Sequence, residues 1–71
     1  MTNMTDYIAA SFGVRDGRVR FVRSKGKDSP EFGRWFWKFY CDDYNVFATE
    51  FFVFKRNAVQ HFKESGGQFI E

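Results

Sequence analysis

His61 is the only histidine and Cys41 the only cysteine in the chain. Acid–base catalysis or metal binding at a histidine needs partners arranged around the ring. On a helix His61 falls on the polar side, one residue before Phe62, so a solvent-facing ring is expected. Nucleophilic work at Cys41 would need a depressed thiol pKa, and no basic residue adjoins it. A small thiol at the end of an aromatic strand reads as packing. One cysteine makes no internal disulfide and no zinc cluster, which suits a reducing cytoplasm. Asp42 and Asp43 could offer oxygens to a divalent cation together with Asn45. Turn chemistry accounts for the same three residues. Asp28 and Glu31 flank Pro30 in a loop and read as solvated. Gly26-Lys27 is no phosphate loop, because Asp28 follows and no glycine stands five residues earlier. The expectation is a protein that is not an enzyme and uses no metal and no cofactor.

The composition supports contact chemistry instead. The 71 residues include 11 Phe, 3 Tyr and 2 Trp, against 6 Val, 2 Ile and no Leu. Each ring buries roughly 150–250 Å². Sixteen rings exceed what one core of this size can hold. Some must lie at the surface, where an apolar patch marks an interface. The formal net charge of +2 hides an asymmetry: residues 1–40 carry +4 and residues 41–71 carry −2. Between Arg15 and Lys27 there are six basic residues and one acid, Asp16. Such a segment steers anionic partners, or keeps an edge strand soluble. The N-terminal stretch lacks the basic start and apolar run of a secretory signal. No stretch approaches the ~18 apolar residues that span a membrane. The expected location is cytoplasmic.

These side chains need elements to position them. One domain over residues 1–71 is expected, with a frayed lead at 1–5 and a flexible basic loop at 24–33. Residues 7–14 alternate as a strand, with Ile8, Ala10, Phe12 and Val14 on one face. They also read as a helix capped by Thr5 and stopped at Gly13. Asp16-Gly17 favours the strand, since Asp-Gly is a strong hairpin signal. The return strand is then Arg18–Lys25, with Val14 opposite Val19 and Phe12 opposite Phe21. Arg34–Cys41 (RWFWKFYC) is the clearest strand: Trp35, Trp37, Phe39 and Cys41 point one way, Arg34, Phe36, Lys38 and Tyr40 the other. After a turn at 42–45, Val46–Phe54 forms the fourth strand. It pairs Cys41 with Val46, Tyr40 with Phe47, Phe39 with Ala48, Phe36 with Phe51 and Trp35 with Phe52. A competing helix over 49–65 would stripe Phe51, Phe54, Ala58 and Phe62. Asn57 caps a short helix, Ala58–Ser65, which Gly66-Gly67 stops. Residues 68–71 form a tail or a short edge strand.

The fold class is therefore α+β: a small antiparallel four-stranded sheet, hairpin–loop–hairpin, with one C-terminal helix and an optional last strand, ββββα(β). One helix covers one face of such a sheet. The open face gathers Arg18, Arg20, Arg34, Phe36, Lys38, Tyr40, Phe47, Phe51 and Val53, with Lys25 and Lys27 in the adjacent loop. Rings that stack on bases, beside cations that neutralise phosphates, are what single-stranded nucleic acid requires. The element order is loosely similar to that of the Whirly and Pur-type single-strand-binding folds, with no shared motif. The cold-shock and RRM aromatic signatures are absent. Aromatics and Arg also enrich protein interfaces. The alternative is a small inhibitor or adaptor that blocks a host protein or nucleoprotein complex, in the manner of phage anti-CRISPR proteins. An open sheet face rich in Phe also invites a homodimer.

Overall fold

The alternating aromatics of RWFWKFY form the strand around which the rest assembles. The computed structural model describes residues 6–42 and 45–70. In it β1 (Tyr7–Ser11), β2 (Val14–Arg23), β3 (Trp35–Tyr40) and β4 (Asn45–Phe47) are followed by helix α1 (Lys55–Glu64) and β5 (Gln68–Phe69). All pairings are antiparallel, and the sheet order is β4-β3-β2-β1-β5. The α+β architecture is the one expected, and the optional last strand is present, on the free edge of β1. The expected lead at 1–5 and the middle of the 42–45 turn, Asp43 included, lie outside the described residues.

Register decides which side chains reach the core. In β2 and β3, Val19 opposes Phe39 and Phe21 opposes Trp37. These four are buried beneath α1, which contributes Ala58 and Phe62. Phe62 sits at the centre, with its ring 5.2 Å from Trp37, 5.6 Å from Phe69, 6.1 Å from Phe21 and 6.4 Å from Phe39. A core without leucine is thus a set of tilted and edge-on rings, the arrangement that ring quadrupoles favour.

The first hairpin departs from expectation. Its turn is Phe12-Gly13, with φ of 54° and 78°, the double left-handed geometry of a type I′ turn. Tyr7 opposes Val19, Ile8 opposes Arg18 and Ala9 opposes Gly17, with an irregularity before Ser11 pairs with Val14. The Asp16-Gly17 turn and the pairs Val14–Val19 and Phe12–Phe21 are therefore incorrect. The inward residues of β1 are not Ile8 and Ala10; Tyr7 and Ala9 share the core face, and Ile8 lies on the other side. Two packing contacts explain the shift. Gly17 lies under Phe39, where a Cβ would come within 2.2 Å of the ring. Phe12 accepts its unusual φ because its ring stacks on Trp37 at 5.9 Å and meets Phe39 edge-on at 5.7 Å.

The second half also differs. The fourth strand ends at Phe47 rather than Phe54, and its register is Lys38–Phe47, Phe39–Val46 and Tyr40–Asn45. That is two residues off the expected pairing. Beyond the bend at Thr49 the chain returns to β3 at one point, where Trp35 and Phe52 exchange two backbone hydrogen bonds of 2.6 and 2.8 Å. The expected Trp35–Phe52 pair is therefore present, and the Phe36 and Phe51 rings lie 5.0 Å apart. The slack between 47 and 52 absorbs the offset.

The helix starts at Lys55, not Ala58, and Phe54 caps it with no side-chain hydrogen bond. Asn57 is inside the first turn. Burial of Ala58 and Phe62, one turn apart, places the helix despite two cations at its positive end. Its stop is as expected: Gly66 has φ of 98°, Gly67 N–H donates to Phe62 O and Gly66 N–H to Lys63 O, a Schellman closure. Among the described residues no helix is long and apolar enough to cross a membrane.

Candidate functional site

The face opposite α1 is built by the same alternation that fills the core. Arg18 stands beside Tyr40 and Asn45 across three strands, and Arg20 stands beside Lys38 and Phe47. Val22 stands beside Phe36, whose ring meets Phe51. Seven of the ten expected aromatic and basic contact residues thus share one surface: Arg18, Arg20, Phe36, Lys38, Tyr40, Phe47 and Phe51. Lys25 lies at its loop end, where it lines the same hollow as Phe36, Lys38 and Phe51. Lys27 and Arg34 are exposed and line none of the cavities described here. Arg34 falls one residue outside β3, where its backbone closes the 24–34 loop: Ser24 N–H donates to Arg34 O at 2.8 Å.

Rings and cations interleave on this surface. The Lys38 ammonium lies 5.5 Å from the Phe47 ring centre, and the Arg20 guanidinium 5.9 Å from that of Tyr40. Arg20, Lys38, Tyr40, Asn45 and Phe47 enclose a shallow hollow of about 330 Å³. Phe47 is 54% exposed, a large ring left in water at the sheet edge.

Asp6 is the acid that meets these cations, a residue whose role was not read from the sequence. Arg20 Nε donates to Asp6 Oδ1 at 2.5 Å, and the Tyr40 hydroxyl donates to Asp6 Oδ2. The Arg20 hydrogen bond, then that of Tyr40, holds the Asp6 carboxyl below the ordinary carboxylate range. Burial, and then the hydrogen bond to Asp6, push the Tyr40 hydroxyl up. The signal available was position: Asp6 precedes the first strand, but only the Phe12-Gly13 turn sets it opposite Arg20.

The Asp6 shift has a defined pH consequence. A depressed folded-state pKa contributes stability above the unfolded carboxylate pKa, and this is lost as pH falls through the folded value. Acidification should therefore lower the Tm of the native chain more steeply than that of Asp6→Asn, by up to one proton's linkage. Thermal unfolding followed by circular dichroism from neutral pH down through the carboxylate range checks this. Parallel curves would mean that the Asp6 cluster does not persist in solution.

Among the described residues no group of three His, Cys, Asp or Glu side chains could hold a metal ion. His61 is turned inward rather than to solvent: Trp37 Nε1–H donates to its Nδ1 at 2.9 Å, and Phe52 lies 5.2 Å from its ring. This hydrogen bond satisfies a buried indole. Glu50 lies at 3.9 Å from His61 Nε2. Cys41 is half-buried at the end of β3. Asp42 is exposed.

Comparison with protein-family models, curated proteins and solved structures finds no match to this chain.

Proposed function

We propose that this protein is a non-enzymatic binding module that holds single-stranded nucleic acid on the open face of its sheet. The observation that carries this reading is the alternation of Arg18, Tyr40, Lys38, Phe47 and Phe36 across β2, β3 and β4. Flat rings there can take bases, and adjacent cations can take phosphates. Asp6, the acid beside Arg20, is engaged by Arg20 and Tyr40. Lys38 and Arg18 have no carboxylate within 4 Å among the described residues. On this reading the protein works in the cytoplasm.

A second reading draws on a different observation. Val53 is 61% and Phe54 50% exposed, on the segment leading into α1. An apolar pair of this kind suits a protein partner, either a second copy or a host complex that the module blocks.

Fluorescence anisotropy with labelled single- and double-stranded oligonucleotides at low and near-physiological salt separates the two. Phe47→Ala should weaken single-strand binding by about 1–3 kcal/mol, roughly a 5–150-fold loss, if a base stacks there. Because Phe47 is exposed, the fold should be little affected. Lys38→Ala should flatten the slope of log K against log salt by about 0.7. Binding that disappears at near-physiological salt, or that ignores Phe47, would overturn the nucleic-acid reading in favour of a protein partner.

A further inference from the structure

The largest hollow described, about 710 Å³, is not on the centre of the open face. It wraps the loop end of β2 and draws on both sides of the sheet: Val22, Lys38 and Phe36 from the open side, Phe21 and Trp35 from the helix side. Its volume lies within the range of small-ligand clefts, roughly 300–1,000 Å³.

Its charge is one-sided. Arg20, Arg23, Lys25, Lys38 and Lys55 line it, and no acid does among the described residues. Among the described residues, only Arg20 of these has a carboxylate within 4 Å. Two of the others are brought to one ring: the Arg23 guanidinium lies 5.6 Å and the Lys55 ammonium 5.7 Å from the Trp35 ring centre. Arg23 is also held by a hydrogen bond from Nε to Gly33 O at 3.2 Å. Like charges gathered without counter-charge repel, and a bound anion removes that cost. Lys55 opens α1, whose first turn carries no acid and no side-chain cap, so the helix end adds positive potential to the same cleft.

We infer that this cleft binds a nucleotide, with its phosphate against Arg23, Lys25 and Lys55 and its base on the cleft's rings, Trp35 foremost. The cations fix the anionic half of the ligand and the rings its planar half. The phosphate can belong to a free mononucleotide or to the end of a strand lying on the sheet face. The inference extends the nucleic-acid reading but does not depend on it, because Arg23, Trp35 and Lys55 are outside that reading's contact set.

The test uses isothermal titration calorimetry with adenosine monophosphate and inorganic phosphate. In parallel, anisotropy compares one oligonucleotide with and without a 5′-phosphate. The variants are Arg23→Ala/Lys55→Ala, both surface positions whose folding is checked by circular dichroism, and Phe47→Ala on the sheet face. Saturable adenosine monophosphate binding, at least tenfold tighter than inorganic phosphate and weakened at least tenfold in the double variant but not in Phe47→Ala, is the expected result. If the 5′-phosphate also tightens oligonucleotide binding through Arg23 and Lys55, the source is a strand end; if it does not, a free nucleotide. Equal affinity for inorganic phosphate would overturn the assignment of a nucleotide. No dependence of either ligand on Arg23 and Lys55 would overturn the site, even if the oligonucleotide still bound through Phe47.

Discussion

Phe39→Ala is expected to cost about 3–5 kcal/mol of stability, the range for a fully buried aromatic. The ring is 0% exposed and lies between Phe62, Phe12 and the backbone of Gly17. How far a core collapses into a new cavity depends on its neighbours. Here they are rigid rings, and the chain has no leucine to swing into the space. The cost should fall at the upper end of the range. A chain of 71 residues has a total stability of about 4–11 kcal/mol. The variant should therefore lose roughly half or more of its stability, keeping at most about 6 kcal/mol. Urea unfolding monitored by far-ultraviolet circular dichroism measures this. A loss below about 1 kcal/mol would mean that the sheet and helix do not pack through Phe39.

Gly17→Val should also be damaging, for the opposite reason. A Cβ at Gly17 would fall 2.2 Å from Phe39 Cζ and 2.7 Å from Cε1. Neither atom can move freely, since the ring is enclosed by Phe62 and Phe12. Overpacking of this kind costs about 1–3 kcal/mol and occasionally more, and valine adds two methyl groups beyond the clash. The control separates packing from turn formation. If Gly17 were the second residue of an Asp-Gly turn, Gly17→Asn would be tolerated, because asparagine accepts left-handed geometry. In this structure Gly17→Asn should be at least as destabilising as Gly17→Ala. Combining Gly17→Ala with Phe39→Leu should recover part of the loss, with a coupling above about 0.5 kcal/mol. Strict additivity, or a stable Gly17→Asn, would return Gly17 to a turn. The same relation recurs at Gly67, where a Cβ would lie 2.4 Å from the Phe62 ring. The two phenylalanines at 0% exposure, Phe39 and Phe62, therefore each rest against a glycine.

Those glycines mark the boundary of what local pattern can reveal. Asp16-Gly17 carries a genuine hairpin signal, but a glycine under an aromatic ring looks the same in one dimension. Moving the turn to Phe12-Gly13 reversed the faces of β1 and brought Asp6 to Arg20, because side chains alternate and the pairing changed by an odd number of residues. The fourth strand failed similarly. Phe51-Phe52-Val53-Phe54 is strand-prone throughout, yet only Phe52 pairs, since the chain must leave the sheet in time for Ala58 and Phe62 to cover it. His61 was misplaced because its partner, the Trp37 indole, arrives from another strand.

Alternation in β2 and β3 was sufficient to separate the ring-filled core from the aromatic and basic face, because a strand's two-residue period is a local property. Arg18, Arg20, Phe36, Lys38 and Tyr40 could be assigned to that face from their own spacing. The Gly66-Gly67 helix stop was equally local. The turn of the first hairpin, the engagement of Asp6, the inward His61 and the cleft beside Trp35 all required the folded chain. Each depends on contacts between residues distant in sequence, where the fit of one ring against one backbone outweighs the preference of any dipeptide.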